Sequence, residues 1–152
     1  MLIHLKNLLT ADEVAQARGL LLAADAPWVD GARSAGGQAA TRKSNRQLAQ
    51  DSASAATLRE LILAALRRDP VFFSAALPRK IFNPLFNRYE GAANHYGQHV
   101  DGAVMHSQTT GEWVRSDVSC TVFLAEPDDY DGGELVVHDT YGQQAVKLPA
   151  GD

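Results

Sequence analysis

The stretch SDVSCTVFL at 116–124 most narrows what this chain can fold into. Val118, Cys120, Val122 and Leu124 alternate with Asp117, Ser119, Thr121 and Phe123. On a β-strand, residues two apart share a face. The first row therefore belongs to a core, and the second can line a polar cavity. A lone strand is not stable in water, so this one needs sheet neighbours. The sequence around it offers them. Leu85, Asn87 and Tyr89 alternate with Phe86, Arg88 and Glu90, and Glu90-Gly91 opens a turn. A return strand is predicted over 96–102, then a polar connection over 103–115. Gly132-Gly133 leads into a strand at 134–137, a turn follows at 139–143, and 145–148 returns. Short strands closed by frequent turns argue for an antiparallel sandwich or barrel.

The first half has a different period. Thr10 with Glu13 forms the capping-box pattern, and Val14, Ala17, Leu21 and Ala24 follow on one helical face until Pro27 stops it. Trp28 and Val29 are predicted to pack on the core. A second helix is predicted over 54–68, with Leu58, Leu61, Ile62, Ala65 and Leu66 buried, and a shorter one over 71–77 before Pro78. Between them, 30–46 is broken by Gly31, Gly36 and Gly37 and carries Arg33, Arg42, Lys43 and Arg46. It reads as a solvated loop, or as a lid or anion-contacting loop over a pocket. The fold class is α+β, with an N-terminal helical support region over 1–78 and a β core over 79–152.

With 45% hydrophobic and 21% charged residues, the composition is that of a globular protein. The net charge of -4 gives no general drive toward nucleic acid or an anionic membrane. Cys120 is the only cysteine, so no internal disulfide forms. The start lacks a signal-peptide pattern and no apolar run reaches membrane-spanning length, so the expected location is the cytoplasm.

Chemistry concentrates at YEGAANHYGQHVD, 89–101. On the predicted strand, His99 and Asp101 point to one side, so an imidazole nitrogen and a carboxylate oxygen can meet at one point. That is two thirds of the 2-His-1-carboxylate arrangement that holds non-haem Fe(II) and leaves positions open. His95, sharing the strand's parity, or His138 could instead complete a zinc site with the pair. Solvent-exposed or packing roles are the expectation for His95, His106 and His138, His4 has no informative context, and Cys120 is expected to be a buried, inert thiol. Asp128, Asp129 and Asp131 do not have the spacing of an EF-hand loop and read as a solvated turn.

The segments PLFNRYEG, YGQHVDGA, RSDVSCTVFLAEP, YDGGELVV and VKLPAGD, with VFFSAALPR before them, together resemble the bacterial PKHD-type (prolyl/lysyl hydroxylase-like) hydroxylases of the PiuC/YbiX group. These belong to the Fe(II)- and 2-oxoglutarate-dependent dioxygenases. The resemblance implies a double-stranded β-helix, or jelly roll, supported by the N-terminal helices. It implies that His99 and Asp101 are metal ligands and that Tyr89 bonds the distal carboxylate of 2-oxoglutarate. It implies hydroxylation of a small-molecule or peptide substrate by O2, with decarboxylation of 2-oxoglutarate to succinate. L-ascorbate would keep the iron reduced, and the group has a link to iron uptake. The family's distal histidine and carboxylate-binding arginine would fall beyond Asp152, so the chain is expected to be truncated, with the C-terminal barrel strands missing. Exposed barrel edges would favour a homo-oligomer. The alternative is a non-catalytic jelly-roll binding or assembly module.

Overall fold

The computed structural model describes residues 2–34, 40–107 and 110–152. Local signals form three helices near the expected places, but the first ends at Leu21, six residues before Pro27, and leaves Ala24 outside it. Helix α1 spans Ala11–Leu21, and Thr10 accepts from the Glu13 N–H while Glu13 reaches back to the Thr10 N–H at 2.8 Å. Helix α2 spans Ala53–Arg68, capped by Ser52, and buries Ala55, Leu58, Ile62, Ala65 and Leu66 along one stripe. Helix α3, Pro70–Ala76, starts with proline at its first position and with Asp69 accepting from the Phe72 N–H. Leu77 ends it in the left-handed region, at φ 43°.

These helices and the strands beside them form the main core. Leu8, Leu9, Ala17, Leu48, Leu58, Ile62, Leu66 and Phe86 are buried together, and Trp28, Val122 and Leu124 pack on the cluster. Leu48 and Leu58 are the largest side chains with essentially no exposure. Burying each contributes about 1.5–3 kcal/mol relative to leaving it in water.

The first 78 residues also hold strands. β1 (Trp28–Asp30) pairs antiparallel with β3 (Arg46–Leu48), which pairs with β4 (Asn87–Arg88). β2 (Lys43–Ser44) pairs with β5 (His95–Tyr96). The segment read as a loop at 30–46 therefore contains a 3-10 turn at Gly31–Ser34, all of β2 and the start of β3. Gly36 and Gly37 lie outside the described residues. The strands there are two or three residues long and find partners some 40 to 50 positions away, at Arg88 and Tyr96, which no local pattern records.

Three further expectations are corrected. The connection over 103–115 is a hairpin, with β6 (Val104–His106) pairing β7 (Trp113–Arg115). The strand predicted at 96–102 stops at Tyr96. Residues 116–124 have a strand's alternation but form no ladder among the described residues. Among the described residues their backbone is tied across at the ends: Ser116 N–H donates to Ala103 O, and Phe123 bonds Asp152 and Gly151. Without a neighbouring strand on each side the predicted core row stays partly open, and Val118 is 63% exposed. Cys120 is exposed as a residue, although its thiol is covered enough for burial to push its pKa up.

The hairpin after Gly132-Gly133 forms as expected, with β8 (Leu135–Asp139) pairing β9 (Gly142–Val146) in the register Leu135↔Val146. The turn at 149–152 docks on the N-terminal lead-in: Leu9 N–H donates to Gly151 O at 3.0 Å and Asn7 N–H to Asp152 Oδ1 at 2.7 Å. Gly151 has φ 100°, and a Cβ there would lie 3.1 Å from Leu9 O, so this junction requires glycine. The architecture is mixed helix and small antiparallel sheets, an α+β arrangement.

Candidate metal centre

His99 and Asp101 meet, but not by strand geometry. Both follow β5 in irregular backbone, and the shared face assumed for His95 and His99 does not exist. What holds the segment is Arg42, the residue before β2. Gly97 N–H donates to Arg42 O at 2.8 Å, and the Arg42 guanidinium donates to Gln98 O at 3.0 Å. The chain then turns, and His99 Nε2 comes to 3.3 Å from Asp101 Oδ1.

Each of the two side chains is fixed by its other polar atom. His99 Nδ1 lies 2.8 Å from the Gly97 carbonyl, which can only accept, so the proton sits on Nδ1. Nε2 faces the Asp101 carboxylate. The imidazole also stacks on Tyr96, with centroids 3.6 Å apart and planes 16° from parallel. Asp101 Oδ2 accepts from the Ser119 hydroxyl. Nε2 and Oδ1 thus face each other at 3.3 Å, and a proton or a metal ion between them would satisfy both. The side chains keep access to solvent, with 25% exposure for His99 and 60% for Asp101. Metal-bound histidines commonly have their second nitrogen hydrogen-bonded in this way. The donors present fit two positions of a metal centre, and among the described residues no group of three candidate ligands assembles.

Tyr89 follows β4 and is 46% exposed, its phenol partly covered. Burial pushes its phenol up, a hydrogen bond with Asn45 works against that, and the Tyr96 phenol adds a smaller upward push. Tyr96 is pushed up by burial and then by the Asp101 charge. The two tyrosines and the His99–Asp101 pair are thus electrostatic neighbours.

The remaining histidines stand elsewhere. His95 pairs across from Ser44, and His138 across from Gln143 on the β8–β9 hairpin. His106 packs on Trp113 at 4.5 Å, and His4 Nε2 lies 2.8 Å from Asp152 Oδ2. Asp129 accepts from Arg18 at 3.1 Å and closes the 3-10 turn at Pro127–Asp129. Ser119 and Tyr96 are the supporting residues that sequence reasoning assigned no role at the site. Ser119 had a partial signal, since it falls on the polar row of 116–124.

No family model matches the chain. Curated relatives do. A PKHD-type hydroxylase of Variovorax paradoxus is 55% identical over 152 residues, which is all of this chain and 66% of the relative. PKHD-type hydroxylases of Stenotrophomonas maltophilia and of a Polaromonas species are 54% and 53% identical, again over 66% of their own length. The chain therefore spans just under two thirds of the relatives it matches. Identity above one half along the entire chain is shared descent rather than a local motif, and the chain belongs to the PKHD-type hydroxylase family.

Proposed function

We propose that this chain carries two protein ligands of an Fe(II) centre, His99 and Asp101, in a 2-oxoglutarate-dependent hydroxylase. The observation that carries the reading is the convergence of His99 Nε2 and Asp101 Oδ1, each with its companion atom tied to Gly97 O or Ser119. His99 contributes its Nε2, with Nδ1 already committed to the Gly97 carbonyl before metal arrives. The Tyr96 stack limits ring rotation, and Ser119 keeps one carboxylate oxygen turned inward. Tyr89 donates its hydroxyl to the distal carboxylate of 2-oxoglutarate. A distal histidine and an arginine supplied by sequence outside 1–152 complete the ligand set and the co-substrate clamp, within a jelly-roll barrel. Iron held there would supply O2 activation coupled to conversion of 2-oxoglutarate to succinate and CO2, with one oxygen atom going to succinate and the other to the hydroxylated substrate, a small molecule or a peptide. L-ascorbate is the reductant we assign, and the cytoplasm is the location. Among the described residues no helix is long and apolar enough to cross a membrane. A link to iron uptake and pairing between copies along open sheet edges belong to the same proposal.

The test is metal titration of the chain and of its His99→Ala and Asp101→Ala variants by calorimetry under argon. Binding in the parent and loss in both variants supports the reading. Binding that ignores both substitutions removes it, and the non-catalytic binding module then takes its place.

A further inference from the structure

A cleft of about 390 Å³ opens between β1, the 3-10 turn and β2, lined by Trp28, Asp30, Lys43, Ser44, Asn45 and Arg46. Lys43 dominates its chemistry. Among the described residues its ammonium meets Ser34 Oγ at 3.0 Å and the face of the Tyr96 ring at 5.0 Å, and Asp30 reaches it only through a longer-range field. Ser34 spends its own proton on Gly31 O at 3.0 Å, so it serves Lys43 purely as an acceptor. Asp30 Oδ1 accepts from the Ala32 N–H at 2.9 Å. Arg46 is turned to Glu90, at 3.8 Å. The Lys43 ammonium carries three donors, and a hydroxyl satisfies one. A half-buried cation that has lost water without gaining a carboxylate is a standing cost to the fold. Burial accordingly lowers the Lys43 pKa, with Asp30 opposing.

The position connects this cation to the metal pair. Lys43 lies opposite Tyr96 in the β2–β5 register, and Tyr96 stacks on His99. We propose that this cleft is a subsite for a carboxylate on a small acid or peptide, with Lys43 as its anchor one side chain away from His99. One ammonium matches one negative charge, and the nearby Asp30 disfavours a dianion such as phosphate. The anchoring of substrate rests on the hydroxylase reading above, whereas the capture of a carboxylate does not.

The experiment uses metal-free protein, N-acetylglycine as the acid, N-acetylglycinamide as its neutral counterpart, and inorganic phosphate. Amide shifts of Asp30, Ser44 and Asn45 in ¹H–¹⁵N spectra report occupancy. The acid is expected to shift them, and the amide to do so far less. Lys43→Gln is expected to weaken acid binding about tenfold or more, the scale of a hydrogen bond to a charged group. Lys43→Arg restores most of it. Equal binding by Lys43→Gln and the parent, equal binding of acid and amide, tighter binding of phosphate, or no acid-dependent shift would each overturn the proposal. His99→Ala separates the two claims: it is expected to remove metal binding and leave acid binding intact. Acid binding without His99-dependent metal binding would sink the proposed function alone, and the reverse would sink the subsite alone.

Discussion

Ser119→Ala tests whether the pair is a built site or a chance contact. The hydroxyl donates to Asp101 Oδ2 and leaves Oδ1 facing His99 Nε2. Without it, the carboxylate can rotate about its Cβ–Cγ bond, and its ligating oxygen is no longer held in place. Removing a group that orients a metal ligand weakens metal affinity about 10–100-fold. A hydrogen bond to a charged group contributes roughly 1.5–3 kcal/mol, which corresponds to about the same range. Asp101 is 60% exposed, so water takes over part of the lost bond and the lower end, about tenfold, is expected. Ser119 is exposed, and fold stability should change by less than about 0.5 kcal/mol. The assay is calorimetric titration with Co(II), an air-stable stand-in for Fe(II), beside a urea melt. A Co(II) affinity unchanged by Ser119→Ala, in a chain whose His99→Ala variant has lost it, would refute the orienting role.

Other expectations follow from particular contacts. Leu58→Ala opens a cavity in the fully buried face of α2 and should cost about 2–5 kcal/mol in urea unfolding. Thr10→Ala removes the cap of α1 and should cost about 1 kcal/mol by the same measurement. Bonds from Arg68 and the Thr10 backbone hold Glu13 at a pKa of about 2, against an ordinary 4.5. Its contribution is therefore complete above about pH 4.5 and is lost as pH falls through about 2. A pH series of urea melts on the parent and Glu13→Gln should show the two curves converging over that acid window. For the co-substrate, Tyr89→Phe should weaken 2-oxoglutarate binding to the iron-loaded centre several-fold without altering Co(II) affinity. A matching loss of Co(II) affinity would make Tyr89 a support of the fold instead.

What could be read from the sequence was what the chain decides locally. The capping box at Thr10 and Glu13, the apolar stripe of α2 and the β8–β9 hairpin each depend on residues within a turn or two of one another, and each forms. Strands β2 and β3 depend on Tyr96 and Arg88, far along the chain, and polar residues such as Lys43 and Arg46 gave no apolar period to mark them. At 116–124 the alternation was real, but alternation records only which side chains could share a face. A strand also needs a neighbour to take its backbone bonds. The His99–Asp101 pair was identified for a reason the structure replaces. The chemistry of an imidazole two residues from a carboxylate was legible, whereas its geometry comes from Gly97 and Arg42 rather than from a strand. Lys43 was legible only as one charge of a basic loop and Tyr96 only as the start of a strand, because their relation lies in what stands across the sheet from each.

The most direct test of the metal centre is anaerobic Fe(II) titration with 2-oxoglutarate, on this chain and on the longer Variovorax relative, each beside its His99→Ala variant or the equivalent one. The account predicts a visible metal-to-ligand charge-transfer band in the relative, abolished by the substitution, and weaker but still His99-dependent iron binding in this chain. Iron binding that persists unchanged without His99 would contradict it.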